Sequence, residues 1–346
     1  MHKATDVRLG RIVRLLMSHA TVVASGTKIA EEIGTSRSEV WRLIQQLRGL
    51  GVDVAGHSAT GYQLRAVPDL LLPEMLASSL KGTIFGGSTG GANSGKQIHH
   101  YYKIGSTNSE AMRSAAEGAP EGSVFLAEEQ LAGRGRGAHT WHSARSAGIY
   151  CSVILRPAMP PSDALIFSLA AGLAVRSAVA EIAPQLLVDL KWPNDALIGG
   201  RKFCGILTEM NAEATSVRHL VVGVGINVNQ VKFPAELREL ATSLRIETCT
   251  EWSRVELCAA LLKSLDREYR ALVDDPGAHA SILRRFEGSS SSVRGRKASV
   301  IVNADMVNGD EDGALAGVTE GLDERGFLRV RTAEGLTTVI SGTVKI

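Results

Sequence analysis

The chain has few cysteines, little net charge and no long uninterrupted apolar run. Its four cysteines, Cys151, Cys204, Cys249 and Cys258, lie far apart and form no CxxC pair, so neither a zinc knuckle nor a disulfide framework is indicated. No stretch reaches the roughly 18 apolar residues that a membrane span needs, and the charged N-terminus lacks the apolar core of a signal peptide. We therefore expect reduced cysteines, no membrane partner and a cytoplasmic protein.

The composition is that of a globular protein with more than one domain. Hydrophobic residues make up 44% and charged residues 21% of the chain, close to the average of folded domains. The formal net charge of +2 is no overall signature of nucleic-acid binding, so any DNA site must be local. A length of 346 residues favours two or three domains.

The N-terminal region carries three apolar-periodic runs followed by two β-prone segments. Gly34 supplies a stop for the second run and Ser36 an N-cap for the third. This order predicts a helix-turn-helix with a wing. The predicted elements are helices in residues 9–16, 29–33 and 40–47 and strands in residues 52–54 and 62–64.

The third of these helices has polar side chains beside its apolar stripe, most of them hydrogen-bond donors. Donors of this kind suit contacts with phosphates and base edges, whereas a solvated polar face is the alternative for an isolated helix. With the turn and the wing present, we hypothesise that this helix binds DNA. The candidate DNA-binding residues are Ser36, Arg37, Trp41, Arg42 and Gln45.

Two glycine- and serine-rich segments, at residues 81–95 and 288–292, predict joins between domains. Between them, two long helices, in residues 163–182 and 254–272, and five candidate strands follow one another without regular strand-helix alternation, which indicates an α+β domain. The candidate strands are residues 123–127, 149–155, 186–192, 204–210 and 220–227. Short β-prone runs after the second join predict a small β-barrel. The expected divisions are a winged helix at 1–66, a linker and flexible loop at 67–98, a central domain at 99–288 and a barrel at 293–346.

The segment QLAGRGRGAHTW, at residues 130–141, alternates glycine with arginine. Glycine lets the backbone approach a ligand closely, while Arg134 and Arg136 add fixed charge and forked donors for phosphate or carboxylate. Disordered RNA-binding segments share this pattern. The β-prone runs on both sides favour instead a loop between strands, which could be disordered when empty and close over an anionic ligand.

Two further segments carry candidate site residues. In KWPND, at residues 191–195, Pro193 ends a strand and Asn194 and Asp195 place an amide and a carboxylate on the following turn, although most such turns are structural. In VVGVGINVN, Gly223 and Gly225 alternate within an apolar run. Alternate glycines accommodate either a flat bound ring or tight packing between sheets, and this segment alone leaves both open.

Together with Ser106, Thr107 and Asn108, these three segments resemble the ligand site of the biotin protein ligases. The winged helix makes the chain similar to the bifunctional members that also repress biotin synthesis genes. The resemblance implies a class II synthetase-like central domain, a C-terminal barrel of SH3 type and a homodimer formed through the central sheet. It also implies biotin, ATP and Mg²⁺ as ligands, with biotin carboxyl carrier protein, an acetyl-CoA carboxylase subunit, and operator DNA as partners.

The resemblance also implies roles for individual residues. Lys202, Arg136 and Asp195 would be catalytic, with Lys202 meeting the biotin carboxylate and the α-phosphate. Trp141 would help to cover the adenine, and Asn194 would support the nucleotide and its metal, although the metal ligands themselves are unknown. The residues implied to bind biotin or its adenylate are Ser106, Thr107, Asn108, Gln130, Gly133, Arg134, Gly135, Arg136, Trp141, Asn194, Lys202, Gly205, Gly223 and Gly225.

The chain departs from the usual family pattern GRGRxGRxW near the end of the loop. It has Ala138 at the later glycine and His139 where arginine is common, so we expect a weaker hold on the adenylate because neutral histidine lacks arginine's fixed charge. Two other functions remain open. A lipoate protein ligase would use related chemistry, and a ligand-sensing transcription factor would have the pocket without ligase activity.

Overall fold

The computed structural model describes residues 2–18, 23–57, 60–66, 68–86, 98–137, 139–301 and 314–345. The N-terminal part is the predicted winged helix. Its helices are α1 (His2–Ser18), α2 (Gly26–Ile33) and α3 (Arg37–Gly49), followed by the antiparallel pair β1 (Val54–His57) and β2 (Gly61–Leu64).

Local signals place the helix ends of this domain where the sequence predicted them. Gly34 ends α2 with a left-handed φ of 67°, and the Ser36 hydroxyl accepts the backbone N–H of Glu39 at 3.2 Å to begin α3. Ile12, Ile29 and Leu43 are fully buried in the shared core. The three helices therefore fold together because each has one apolar face.

The linker after the winged helix is more ordered than predicted. It contains a short helix, α4 (Pro73–Leu76), and residues 81–86 form packed turns. The expectation of a flexible loop is wrong at the start of the run from residue 81, because Phe85 is completely buried and the Ile84 N–H donates to Asp266. Apolar side chains at these two positions explain the packing. The rest of this run, residues 87–95, lies outside the described residues.

The central sheet is mixed and has the strand order β3-β4-β5-β9-β8-β7-β6 among the described residues. Only β3 and β4 pair in parallel, and the other neighbouring strands are antiparallel. The sequence predicted five of these strands but missed β3 and β7, which are short. The strands are β3 (Ile98–Tyr101), β4 (Val124–Ala127), β5 (Gly148–Leu155), β6 (Val188–Lys191), β7 (Asp195–Ile198), β8 (Arg201–Ala212) and β9 (Val217–Asn227).

Helices cover the central sheet. The helices of this domain are α5 (Thr107–Ala116), α6 (Leu165–Ile182), α7 (Leu244–Thr248), α8 (Arg254–Asp274) and α9 (Ala278–Gly288). The stretch Pro161–Ile182 is long and apolar enough to cross a membrane, but 67% of its most apolar window is buried inside the protein. It packs against α8 and α9 as a core helix.

The C-terminal part is the predicted small β domain. Its antiparallel sheet has the order β13-β12-β11-β10-β14. Trp192 attaches it to the central domain, because the indole N–H donates to the carbonyl of Gly326 at 2.9 Å. The exact domain limits remain a prediction. The strands are β10 (Arg294–Ile301), β11 (Ala314–Leu322), β12 (Leu328–Thr332), β13 (Gly335–Val339) and β14 (Thr343–Lys345).

Candidate active site and DNA-binding helix

Most of the candidate ligand-site residues from the sequence line one cavity over the central sheet. Arg134 of the glycine-arginine segment, Lys202 of β8 and Gly225 of β9 line the same cavity. With one exception, the other predicted ligand-site residues line it as well. Gly133 is buried behind the wall, where its carbonyl accepts the N–H of Trp141 at 2.9 Å.

The floor of the cavity is made of glycine on adjacent strands. Gly205 of β8 lies opposite Gly225 of β9 in the strand register. A Cβ at Gly225 would lie 2.6 Å from the Trp141 ring, and one at Gly223 would overlap the Asn108 amide. The alternate glycines therefore make room for side chains above the sheet. The Trp141 indole covers this floor, with its N–H buried and unpaired.

One set of groups in the cavity is polar and uncharged. The Gln130 side-chain carbonyl accepts the Thr107 N–H at 2.8 Å, and Ser152 donates to the Asn108 side chain at 2.7 Å. Ser106 caps α5 through the N–H of Ser109 at 3.5 Å. Ser106, Thr107 and Asn108 are at most 6% exposed, so this set can bind neutral hydrogen-bonding groups of a ligand away from water.

A second set is cationic and only partly screened by carboxylates. Lys202 forms an ion pair with Asp195 at 2.6 Å and lies 5.6 Å from the centre of the Trp141 ring. Arg134 pairs with Glu209 at 2.9 Å. Arg136 donates to the carbonyl of Gly342 and forms no carboxylate ion pair within the described part of the chain. Burial lowers the pKa of Arg136, an effect that Asp195 opposes. The cavity is thus suited to a ligand with anionic groups.

The glycine-arginine segment is a small hairpin in this structure. The Gly135 N–H donates to the His139 carbonyl at 2.8 Å, and Arg134 pairs with Thr140 in a β-bridge. His139 lines the cavity, so the position where the family pattern has arginine faces the ligand site. Ala138 lies outside the described residues.

On α3, the candidate DNA-binding side chains are mostly exposed. Trp41 is 58% exposed, and Arg37 and Arg42 are exposed as well. Arg42 forms a forked pair with Glu39 at 2.8 and 2.6 Å, and this pairing lowers the pKa of Glu39. Gln45 is half-buried, and Ser36 serves as the helix cap. The helix therefore offers an arginine and tryptophan surface to a partner.

Family models match three parts of the chain. The Biotin/lipoate A/B protein ligase family matches residues 103–227, an HTH domain matches 8–63, and the Biotin protein ligase C terminal domain matches 307–346. The curated protein "Bifunctional ligase/repressor BirA" of Bacillus subtilis is 32% identical over 339 residues, 97% of each chain, and its Bacillus spizizenii counterpart matches equally well.

This chain belongs to the bifunctional biotin protein ligase/repressor family. A solved structure of the ligase from Aquifex aeolicus, titled as a complex with biotin and ATP, is also similar, with 27% identity and a TM-score of 0.59. The matched region covers 72% of this chain and 98% of the Aquifex chain. The central and C-terminal domains thus have the biotin ligase fold, and the N-terminal helix-turn-helix is that of the repressors.

Sequence reasoning missed several residues of the ligase cavity. Ser152 could have been found, because it is a polar residue inside the buried strand β5. Glu209 does not line the cavity but pairs with Arg134, which does. It had a weaker signal, since it follows Gly205 and Leu207 at the two-residue spacing of one sheet face. Gly342 and Val344 of the C-terminal domain also line the cavity. No local pattern could have shown their presence, because they are distant in sequence from the rest of the site.

Proposed function

We propose that this protein activates biotin with ATP to biotinyl-5′-AMP and then transfers biotin to a lysine of biotin carboxyl carrier protein. One observation carries the proposal. Arg134, Lys202 and Gly225 line one cavity together with the buried neutral groups of Thr107 and Asn108. Such a cavity suits a compound that has a neutral hydrogen-bonding ring at one end and a carboxylate at the other, as biotin does.

In the first step, an oxygen of the biotin carboxylate attacks the α-phosphorus of ATP and pyrophosphate leaves. Two anions approach each other, so the barrier falls when cations lie at the site. Lys202 and Arg136 would supply that charge. The biotin ring would be oriented by Gln130, Ser106, Thr107 and Asn108. The adenylate would be covered by Arg134 and Gly135. Trp141 would border the adenine and the floor formed by Gly205, Gly223 and Gly225.

Magnesium would enter with ATP. The described residues contain no group of three His, Cys, Asp or Glu side chains placed to hold a metal. This suits Mg²⁺, which commonly takes one or two protein carboxylates with water and substrate phosphates. Asp195 and Asn194 line the cavity and would be its oxygen ligands. The ion would offset phosphate charge.

In the second step, the ε-amine of the carrier lysine attacks the acyl carbon of the mixed anhydride, AMP leaves and the new amide loses a proton. The acceptor would be the biotin carboxyl carrier subunit of acetyl-CoA carboxylase. A glycine-arginine hairpin over the cavity would limit the access of water to the anhydride until the acceptor arrives.

The test is release of pyrophosphate from ATP by the purified chain with biotin, with lipoate and with neither. We expect release that depends on biotin. Release with lipoate but not biotin would indicate a lipoate ligase instead. Binding of biotin without any pyrophosphate would indicate a ligand-sensing transcription factor. The curated relatives named above favour the first outcome.

The exposed surface of α3 and the HTH match support a second function, biotin-responsive repression. Ser36, Arg37, Trp41, Arg42 and Gln45 would contact operator DNA. A homodimer formed through the central sheet would place two such helices on two half-sites of an operator. A cytoplasmic location follows from both roles, because the carrier protein and the DNA are found there.

A further inference from the structure

Arg254, in the first turn of α8, is a buried cation that the chemistry above does not use. It is 1% exposed and does not line the ligand cavity. A buried charge is costly unless it is paired and hydrogen-bonded. The partners of Arg254 therefore indicate what its charge holds in place.

Two of these partners are the ends of one loop. The Arg254 guanidinium donates from Nη1 to Glu128 at 2.7 Å and to the carbonyl of Gly148 at 3.2 Å. Glu128 directly follows β4 and Gly148 begins β5. The chain between them, residues 129–147, contains the glycine-arginine hairpin. One side chain thus fixes both stems of the loop that covers the cavity.

The third partner is the linker from the DNA-binding domain. Asp69 accepts from Arg254 Nε at 3.0 Å and also from the backbone N–H of Val255 at 3.1 Å. The second carboxylate oxygen of Glu128 accepts the Leu71 N–H at 2.9 Å. The same cluster therefore fixes the linker and the loop stems to α8.

The stems reach the cavity through Gln130. It lies two residues after Glu128, and its side-chain carbonyl accepts the Thr107 N–H at 2.8 Å. A second contact joins this stem to the DNA-binding domain, because Arg145 pairs with Glu129 at 3.0 Å and donates to the carbonyl of Gly49 on α3 at 3.5 Å. A displacement of either stem would move the neutral side of the cavity.

We propose that Arg254 is a positioning residue of the ligase: it holds both stems of the ligand loop and the interdomain linker, and thereby places Gln130 for biotin binding. The proposal rests on the function proposed above. The loop also carries Arg136 and Trp141, but the other residues on the ATP side, Asn194, Asp195 and Lys202, lie at β7 and β8. We therefore expect loss of the cluster to weaken biotin binding more than ATP binding.

Arg254→Lys tests this, because a lysine keeps the charge but lacks the planar fork that contacts three partners. We expect the KM for biotin to rise about tenfold or more, as for the loss of one or two charged hydrogen bonds, with a smaller rise in the KM for ATP. Amide hydrogen exchange of residues 129–147, measured on the unliganded full chain, should become faster.

The matched control is Glu268→Gln. Glu268 also lies on α8, is 6% exposed and pairs with Arg285 at 2.6 Å, away from the loop stems. The Glu268→Gln variant should have a lower thermal stability, whereas the KM for biotin and the amide exchange of residues 129–147 should not change. Equal effects of the two variants on the biotin KM would overturn the proposal, because the role of Arg254 would then be general stabilisation.

Asp69→Asn serves if Arg254→Lys does not fold, since the Asp69 side chain is 38% exposed at the edge of the cluster. It should accelerate exchange in residues 129–147 and raise the biotin KM by a smaller factor. Unchanged exchange or an unchanged biotin KM overturns the proposal. If the wild type shows no biotin-dependent pyrophosphate release, the proposed function fails, whereas the exchange experiment still decides whether Arg254 holds the stems.

Discussion

The ligand cavity and the cluster around Arg254 both pair cations with carboxylates, but water reaches them to different degrees. In the cavity, the side chains of Lys202 and Asp195 are 36% and 25% exposed. In the cluster, those of Arg254 and Glu128 are 1% and 0% exposed. Exposed pairs contribute little to stability, whereas removing one partner of a buried pair is strongly destabilising.

The difference teaches which charges are free to act on a ligand. Lys202 can exchange Asp195 for a substrate anion at small cost, because solvent already weakens that pair. Arg254 cannot leave Glu128 without depriving a fully buried carboxylate of its arginine partner. Catalytic charge and positioning charge are thus separated in this molecule, and mutations at the two places should differ in what they damage.

The largest effect is expected for Lys202→Met. Loss of the cation should lower the rate of biotin-dependent pyrophosphate release by a factor of about 100 to 1,000, the effect of removing one group that stabilises transition-state charge. Stability in urea should change by less than about 0.5 kcal/mol because the side chain is partly exposed. Single-turnover kinetics with urea unfolding measures both.

Lys232→Met is the matched control, because Lys232 is an exposed lysine that does not line the cavity. Its activity should equal that of the wild type. A Lys202→Met enzyme within threefold of that control would remove Lys202 from the chemistry.

In the cluster around Arg254 we expect the opposite pattern, a loss of stability. Glu128→Gln should lower the free energy of unfolding at neutral pH. We expect a loss of roughly 3 kcal/mol or more, typical of a broken buried ion pair. Burial would raise the pKa of Glu128, but Arg254 and His100 outweigh burial and hold this pKa at about 2. The unfolded carboxyl has a pKa near its ordinary value of 4.5, so the wild type binds fewer protons folded than unfolded.

The wild type should therefore have a higher free energy of unfolding than Glu128→Gln. This difference is fully present above about pH 4.5 and is lost as the pH falls towards 2. Urea unfolding of both proteins between pH 7 and pH 2.5 measures the difference. A difference that stays constant over this range would contradict the assignment of an ionised Glu128 in the folded cluster.

The contrast also explains what the sequence could predict. The glycine-arginine segment, KWPND and the paired glycines are local patterns, so the sequence alone indicated most of the residues that line the cavity. The winged helix was predictable because Gly34 and Ser36 are strong local signals for helix ends.

The rest depends on contacts between distant parts of the chain. Asp69, Glu128 and Arg254 are more than fifty residues apart from one another, and each alone reads as an ordinary charged residue. The strand β7 was missed because it directly follows the Pro193 turn, and its first residue, Asp195, was predicted to lie on that turn. The packing of residues 81–86 was not predicted, because the glycine- and serine-rich composition of this run indicates a flexible loop. The burial of Phe85 depends instead on tertiary packing.

The smallest expected effect belongs to a third kind of ion pair, Arg42 with Glu39 on the surface of α3. Arg42→Ala should weaken binding to a mixed-sequence DNA duplex by about tenfold and reduce the slope of log affinity against log salt by about 1, as for one lost phosphate contact. Fluorescence anisotropy at several salt concentrations measures both quantities, and pyrophosphate release should be unchanged because the residue is remote from the cavity.

Arg218→Ala is the matched control, because Arg218 is an exposed arginine that pairs with Glu213 at 2.6 Å on the central sheet, just as Arg42 pairs with Glu39 at 2.6 Å. If general loss of positive charge explained the weaker binding, both variants would lose DNA affinity equally. Since counterion release depends on the phosphates that an arginine contacts, we expect only Arg42→Ala to change the salt slope. Equal slopes for all three proteins would exclude a phosphate contact by Arg42.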